Sequence, residues 1–307
     1  MEKKKVPSLE ADWLAPQVSE WKRARASLFR ARWPVLAVMV LLFMTLMAVF
    51  GPSIAPKDPN RQTLVERLLP PMSTDEHGEI KYLLGTDGLG RDVLSRIIYG
   101  ARVSLSVGLV AVVIGGVIGT TAGVTAGFFG GYIDDIIMRV ADIQLAFPFI
   151  LLTIMVLVVL GAGIANLVIV LGVAQWVTYA RIARGQTIAV RSKEYVEAAR
   201  SMGASDPAII WRSVLPNILS PLIVIASFNV ASVILSEASL SYLGLGVPEV
   251  VPTWGKILAE SRDQLLAGKW WLAVFPGIAI MITVLSLNIL GDWLRDFLDP
   301  RLRGSRN

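Results

Sequence analysis

The chain has no cysteine, one histidine and few charged residues. Its 307 residues are 54% hydrophobic and 17% charged, with a mean hydropathy of +0.61. Without cysteine there is no disulfide, no thiolate metal site and no cysteine nucleophile. The histidine, His77, cannot form a metal site alone and lies in the polar run STDEHGEIK. A chain this apolar cannot fold around a single soluble core. We therefore expect an integral membrane protein without a metal site.

A nucleotide-binding motif is also missing. No G-x-x-x-x-G-K-[ST] sequence occurs, because the Gly-Lys pairs at positions 255 and 268 have no glycine five residues earlier. We therefore predict no catalytic residue and no cofactor bound by this chain. The net charge of +5 and the pI near 9.6 are expected to reflect basic residues at a cytoplasmic membrane face rather than a nucleic-acid site.

Six apolar runs are long enough to cross about 30 Å of hydrocarbon, so the sequence predicts an all-α protein with six transmembrane helices. The first run follows a polar, basic stretch and no small-residue cleavage site follows it, which favours an uncleaved anchor. The six runs are Trp33–Phe50, Val103–Phe128, Ile143–Leu160, Ile164–Ala183, Leu219–Leu240 and Trp271–Leu290.

The distribution of lysine and arginine predicts that both termini are cytoplasmic. Basic residues are concentrated before the first run, between the fourth and fifth runs, and after the sixth run. The first external loop is as basic as it is acidic and favours neither side. The predicted division is a cytoplasmic segment 1–32, a first helix and external loop 33–102, a transmembrane domain 103–292 and a cytoplasmic tail 293–307.

The end of the first external loop is predicted to form an amphipathic helix on the outer membrane surface. Apolar residues recur at helical spacing between positions 93 and 101, opposite Arg91, Ser95 and Arg102. Thr86 or Asp87 is expected to cap this helix. The preceding glycines fit turns and do not form a dinucleotide fingerprint; they are Gly85, Gly88 and Gly90.

Glycine recurs at every fourth position of the second run, which places a smooth stripe on one helix face. The stripe comprises Gly115, Gly119, Gly123, Gly127 and Gly131. Such a stripe lets another helix approach backbone to backbone. The sequence leaves open whether that helix belongs to this chain or to a second membrane subunit.

Ionisable groups are scarce in the apolar runs. Glu237, near the outer end of the fifth run, is the main acidic candidate, and a pathway role and a structural role at the helix end are both open. Asn229 is a second pathway candidate, although Asn229 and Asn288 fit interhelical hydrogen bonding better. A further set of acidic and basic residues, between Asp134 and Asp142, is predicted to lie at the border of a helix.

A polar segment between the fourth and fifth runs, Glu194–Asn217, is named here the docking segment. It contains two short helical patterns hinged at Gly203, and its charges exclude it from the hydrocarbon. An apolar face needs a partner to cover it, or else packs on the membrane domain itself. That face comprises Ala198, Ala199, Met202, Ile209, Ile210 and Trp211.

Several motifs in order resemble the C-type permease subunits of dipeptide, oligopeptide and nickel ABC importers. Glu197-Ala198-Ala199, Gly203 and Leu215-Pro216 resemble the EAA loop of that family. The other matching stretches are LGTDGLGRD, YGARVSL, FFGGYIDDIIMR, YARIARG, YVEAARSMGAS, LPNILSPLIV, SYLGLG and LGDWLRDFLDPRLR. The resemblance implies a MetI-like ABC importer permease fold with an additional N-terminal span.

The resemblance further implies a permease that forms half of a translocation pathway for di- or oligopeptides. Its implied partners are a B-type permease, an extracytoplasmic solute-binding protein, membrane lipid, and one or two cytoplasmic ATPases that bind ATP and Mg. The implied location is the cytoplasmic membrane of a bacterium or archaeon. The resemblance implies that Glu197, Ala198, Ala199 and Gly203 of the coupling loop form the contact with the ATPase, and that Leu215 and Pro216 end this loop before the fifth run.

The chain departs from the family pattern at two positions, and several alternatives for its cargo and function are open. Ser213 and Ala208 stand where relatives carry histidine and a basic residue, which concerns contacts specific to one partner. Nickel, glutathione or opine cargo is open within the family, and a self-sufficient secondary transporter or a membrane scaffold is the rival outside it. The stretch from Tyr242 to Gly255 is predicted either to receive the binding protein or to pack beneath the external surface.

Overall fold

The computed structural model describes residues 32–248 and 250–298. All but the last residue of the predicted cytoplasmic segment 1–32, and most of the predicted tail 293–307, lie outside the described residues. Within them the protein is helical, apart from a 3₁₀ turn at Leu64–Glu66 and a small antiparallel hairpin of β1 (Ser73–Thr74) and β2 (Ile80–Tyr82) in the first loop.

Eleven α-helices follow one another along the described part of the chain. They are α1 (Arg32–Ile54), α2 (Val93–Phe129), α3 (Gly131–Leu145), α4 (Phe149–Leu160), α5 (Ile164–Arg191), α6 (Glu194–Ser201), α7 (Asp206–Ile209), α8 (Leu215–Tyr242), α9 (Trp254–Glu260), α10 (Arg262–Leu266) and α11 (Trp271–Leu298). Five helical stretches are long and apolar enough to cross a membrane, and α3 with α4 makes a sixth if that bent pair is one span.

The third predicted span is not one straight helix. The run Ile143–Leu160 is broken between α3 and α4, whose axes meet at 89°. Pro148 lies at the break, just before the first residue of α4. Proline cannot donate the backbone hydrogen bond that would continue α3, and it disfavours helical backbone at the residue before it. The prediction of a continuous helix was therefore wrong at this point.

The predicted surface helix at residues 93–101 is the first part of α2, which continues without a break to Phe129. The boundary placed between residues 102 and 103 therefore falls inside a helix. The cap is Asp92, whose side chain accepts a hydrogen bond from the backbone N–H of Ser95 at 2.9 Å, and not Thr86 or Asp87. The polar face predicted to meet water is largely buried, because its members pair inside the protein.

That pairing is a cluster of four charges, of which Asp87, Arg91 and Arg96 are buried and Glu260 is partly buried. Arg91 binds Asp87 and Glu260, with N–O distances of 2.6 Å to each. Arg96, only 1% exposed, contacts the same two carboxylates at 2.7 and 2.5 Å. Glu260 ends α9, so the cluster ties the first external loop and the start of α2 to the last external segment.

Replacing Arg96 with methionine is expected to destabilise the protein by about 3–5 kcal/mol, because the buried Asp87 carboxylate and the partly buried Glu260 carboxylate lose a shared partner. The measurement is thermal and urea unfolding of the purified protein in detergent. Arg102→Met is the matched control, since Arg102 is an exposed arginine on the same helix. Equal stability of the two variants would contradict a structural role for the cluster.

The glycine stripe of α2 lies against α5, which runs parallel to it. A Cβ atom at Gly115, Gly119, Gly123 or Gly127 would lie 2.6, 2.2, 2.2 or 2.7 Å from a backbone carbonyl oxygen of α5. Gly131 is not part of this face, because α2 ends at Phe129 and Gly131 begins α3 with a φ of +54°. The close helix pair is therefore within this chain, and four glycines form it.

Candidate functional site

The docking segment forms two short helices, α6 and α7, joined by a glycine turn. Gly203 has a φ of +86°, in the left-handed region. Its N–H donates to the carbonyl of Arg200 at 3.0 Å, and the N–H of Ala204 donates to the carbonyl of Ala199 at 3.1 Å. These two bonds form a Schellman motif, in which glycine is favoured because it has no Cβ atom. The sequence therefore ends α6 at this residue.

The second short helix continues directly into the membrane. Ser205 precedes α7, although its side chain makes no capping hydrogen bond, and Pro207 lies in the first turn. From Asp206 to Tyr242 the helix is unbroken, with one π-helical turn at Ile210–Val214. The prediction that Leu215-Pro216 ends the loop was therefore wrong. The wider π turn immediately precedes Pro216, and such turns accommodate a disturbed hydrogen-bond ladder without ending a helix.

The inner side of the docking segment is anchored to the membrane domain. Val196, Ile209 and Val214 are buried and belong to the same apolar core as Phe128 at the end of α2. The Arg200 guanidinium lies 5.7 Å from the centre of the Phe128 ring. Arg191 donates to the Phe128 carbonyl at 2.5 Å, which satisfies an unpaired group at the helix end. The two short helices thus contact the ends of α2 and α5.

The outer side of the docking segment is uncovered in this chain. Met202 is 82% exposed and Trp211 is 70% exposed, and Glu197 and Ala198 are exposed on α6. Ile209, which the sequence assigned to the same apolar face, is buried at 1% and points inward. The predicted apolar face is therefore divided: Ile209 anchors the segment, and Met202 and Trp211 are exposed on its outer side.

The two positions that depart from the family pattern lie on the helix that leads into α8. Ala208 is half-buried in α7, and Ser213 is half-buried in the π-helical turn. Neither is fully accessible from outside.

Glu237 does not line an open cavity. It is fully buried, and its two carboxylate oxygens accept hydrogen bonds from Ser241 at 2.7 Å and from Ser104 of α2 at 3.3 Å. A carboxyl group held in this way joins α2 to α8. The structure thus favours the structural role of the two that the sequence left open.

Asn229 lies on the side of α8 that faces the Tyr179 hydroxyl of α5. Its side-chain nitrogen and that hydroxyl are buried, yet neither has a hydrogen bond of good geometry within the described residues. Asn288 lies in an apolar groove between α8 and α11. The interhelical hydrogen bonding expected of Asn229 is therefore incomplete in this structure.

The stretch from Tyr242 to Gly255, which was predicted either to receive the binding protein or to pack beneath the external surface, is partly buried and partly exposed. Trp254 is fully buried, its indole N–H donates to the Ile97 carbonyl at 3.0 Å, and Gly255 packs against Ala238. Tyr242 and Leu243 are 43% and 58% exposed. For Trp254 the structure supports the alternative of a loop packed beneath the external surface.

A polar strip that the sequence did not predict lies between α3 and α5. Asp142 binds Arg181 at 2.6 Å, and the Asp134 carboxylate accepts two hydrogen bonds from Arg184. The Gln144 side chain joins Trp176 to the Ala174 carbonyl, each at 2.7 Å. The signal was present, because Asp134 and Asp142 are eight residues apart on a helix, close to a multiple of its period.

The arrangement defines a class of protein: a multi-pass membrane protein whose helical pair outside the membrane is continuous with a membrane-crossing helix. The chain belongs to the family described as binding-protein-dependent transport system inner membrane component, whose family model matches residues 119–304. A second model, described as the N-terminal TM domain of oligopeptide transport permease C, matches residues 19–71. The resemblance to C-type ABC permeases is confirmed.

Curated relatives match over most of their length. The di/tripeptide transport system permease protein DppC of Pseudomonas aeruginosa is 43% identical over 268 residues, covering 86% of this chain and 88% of the relative. The glutathione transport system permease protein GsiD of Escherichia coli is 39% identical over 284 residues, covering 92% and 90%.

The fold is also similar to that of a solved transporter. A chain from an inward-facing conformation of the MetNI methionine ABC transporter superposes with a TM-score of 0.53 at 20% identity, covering 65% of this chain and 95% of that chain. The predicted MetI-like permease fold is therefore confirmed, and α1 is present as the additional N-terminal span.

Proposed function

We propose that this permease forms half of the translocation pathway of an ATP-driven importer of di- and oligopeptides. The observation that carries the proposal is the outer side of α6 and α7, which exposes Met202 and Trp211 beside Glu197. This surface is the contact for a cytoplasmic ATPase subunit, which binds the ATP and Mg that this chain is not expected to hold.

The mechanism is mechanical. Because the helix from Asp206 to Tyr242 is unbroken, a displacement of α7 by the ATPase moves α8 with it. The contact of Arg200, on α6, with Phe128 passes a displacement of α6 to the end of α2. Closure of two ATPase subunits would then tilt these helices, and the cavity between this chain and a B-type permease would open alternately to the two sides.

The orientation follows from the alternation of spans. Counting the bent pair of α3 and α4 as one crossing gives six crossings, which would put Arg32, the docking segment and Leu298 on one side of the membrane, and that side would carry most of the basic residues. We assign this side to the cytoplasm, with both termini there and with the hairpin of β1 and β2 outside. The membrane is the inner membrane of a bacterium or archaeon, and a solute-binding protein delivers cargo from the external side.

Peptide cargo is supported by the names of the relatives, one a di/tripeptide permease and the other a glutathione permease. Glutathione is itself a tripeptide, so both relatives favour a small solute that carries an ammonium group and carboxylates.

Glu197→Lys is expected to reduce ATPase recovery about tenfold or more, because a reversed charge at a close interface costs several kcal/mol. The measurement is a mild-detergent pull-down of the tagged chain from its native membrane, with identification by mass spectrometry, together with peptide uptake. The wild-type chain should recover a second permease and one or two P-loop ATPases. The variant should keep the permease and lose the ATPases and the uptake.

Asp263→Lys is the control, because it is the same charge reversal on the external segment, at an exposed site of α10. Unchanged ATPase recovery with Glu197→Lys would remove Glu197 from the contact. Recovery of the wild-type chain alone, with uptake driven by an ion gradient and independent of ATP, would favour a self-sufficient secondary transporter.

A further inference from the structure

A cavity of about 520 Å³ lies between the first loop and α9, at the end of the bundle remote from the docking segment. Its wall includes Arg91, which lies just before the first residue of α2, whereas Phe128, at the other end of α2, contacts the docking segment. A helix of 37 residues is about 55 Å long, well beyond the roughly 30 Å of hydrocarbon, so its two ends reach opposite sides of the membrane. The proposed orientation puts the cavity on the external side.

Positive charge is in excess on the wall of this cavity. Its cationic residues are Arg91, Arg96 and Lys256, and its carboxylates are Asp87 and Glu260. All four ionic contacts of the two arginines end on one oxygen of each carboxylate, Oδ2 of Asp87 and Oε2 of Glu260. The two carboxylates thus balance the two arginines, and the charge of Lys256 is left over.

Lys256 has no partner of its own. It is a half-buried residue of α9, and its ammonium group makes no hydrogen bond or ion pair with the described residues. An ammonium group offers three N–H donors, which here remain for a ligand that enters the cavity. Arg96 contributes charge rather than contact, because its unpartnered Nε and Nη2 are enclosed.

The cavity wall also carries apolar side chains that face water. Leu89 and Val250 line the cavity and are 38% and 66% exposed. A free inorganic anion would leave both in water, whereas a protein surface around an anionic side chain would cover them. Among unmodified side chains only those of aspartate and glutamate are anionic at neutral pH. The cavity therefore fits an acidic side chain of a protein that docks from the external side.

We propose that this cavity is a docking site for the extracytoplasmic solute-binding protein, and that Lys256 binds the carboxylate of an aspartate or glutamate on the surface of that protein. The identity of the partner rests on the proposed importer function; the excess of positive charge in the cavity does not. A hydrogen bond between an ammonium group and a carboxylate is charge-assisted, and such bonds are about twice as strong as neutral ones.

The first test measures the affinity of the purified, peptide-loaded companion binding protein for the complete importer in lipid nanodiscs. Lys256→Met is expected to raise the Kd about tenfold, because it removes one partner of a close charge pair. It should also flatten the dependence of the Kd on NaCl concentration, since salt screens a charge pair that the variant lacks. Lys256→Arg keeps the positive charge and should bind within about threefold of the wild type.

Arg262→Met is the matched control. It removes the same charge from the same segment, at an exposed position of α10 that does not line the cavity. Its affinity for the binding protein should equal that of the wild type. Equal weakening by Lys256→Met and Arg262→Met would show a general attraction between charged surfaces and would overturn the docking site.

The second test identifies the carboxylate. A water-soluble carbodiimide couples an amine directly to a neighbouring carboxylate and adds no spacer between them. Treatment of the docked complex, followed by digestion and mass spectrometry, should yield a peptide pair in which Lys256 is joined to an aspartate or glutamate of the binding protein. Coupling of Lys256 to carboxylates of this chain alone would overturn the assignment of its partner.

The outcomes separate this inference from the importer function. A binding protein that docks equally well on the wild type and on Lys256→Met would overturn the docking site and leave the importer function intact. A wild-type importer that binds no solute-binding protein would overturn both. Loss of a bound anionic phospholipid from Lys256→Met, with docking unchanged, would assign the cavity to a lipid headgroup and would also show the docking inference to be wrong.

Discussion

Replacing both Gly119 and Gly123 with alanine is expected to prevent the protein from accumulating in the membrane. A Cβ atom at either position would lie 2.2 Å from a carbonyl oxygen of α5, that of Trp176 or that of Ala180. Backbone oxygens at this distance cannot move aside as a flexible side chain can, so α2 and α5 must separate. Each overpacked site costs about 1–3 kcal/mol or more, and separation exposes the rest of the interface.

Helix propensity alone would predict the opposite effect on stability. Within a helix, alanine is favoured over glycine by about 1 kcal/mol. Gly116→Ala is the matched control, because a Cβ atom there would lie 3.7 Å from the Tyr179 ring, an ordinary contact. Immunoblots of membranes and size-exclusion profiles should show less than about a tenth of the wild-type protein for the double variant, and a normal amount for Gly116→Ala. Normal accumulation of both would mean that α2 and α5 do not pack on the glycine stripe.

This packing was only half predictable from the sequence. Glycine at every fourth position predicts a smooth helix face, but the surface that meets it consists of carbonyl oxygens of α5, and carbonyls have no sequence signature. The fifth glycine, Gly131, continued the spacing beyond the end of α2. A sequence period identifies a helix face only within the residues that are helical. Here the chain turns at Gly130 and Gly131, both with positive φ.

The charges near the start of α2 show a second limit of sequence patterns. Periodicity placed Arg91 and Ser95 on one side of a helix, although Arg91 precedes the first residue of α2, and a polar side can meet water or a buried partner. The partner, Glu260, is 169 residues from Arg91 along the chain. Tertiary pairing over that separation is not contained in a local pattern, and so the surface helix was the wrong interpretation.

The role of Glu237 was left open by the sequence for a related reason. Glu237 stood out because it interrupts an apolar run, yet a carboxyl can be enclosed when Ser104 and Ser241 donate to it. Asp142 and Arg181 did not stand out, because each lies near the end of its run. The number of spans, in contrast, depends on length and apolarity alone and was predictable.

Replacing Gly203 with valine is expected to abolish uptake while the protein remains in the membrane. At a φ of +86° an L-residue costs about 1–2 kcal/mol, and a β-branched side chain costs more. A Cβ atom here would have no neighbour within 4 Å, so the penalty comes from the backbone and not from a clash. The last turn of α6 would then unwind, which shifts Glu197 and Met202 relative to Trp211.

Gly203→Asn separates conformation from the loss of glycine as such, because asparagine adopts the left-handed conformation more readily than other residues with a side chain. We expect the asparagine variant to retain most peptide uptake and the valine variant to fall below about a tenth, since about 1.4 kcal/mol of strain changes a population tenfold. Both should reach the membrane in wild-type amounts, because the turn is exposed and Val196 and Ile209 keep their apolar contacts. If valine and asparagine were equally active, the angle between α6 and α7 would not matter for coupling, and contact with the ATPase would have to rest on α7 alone.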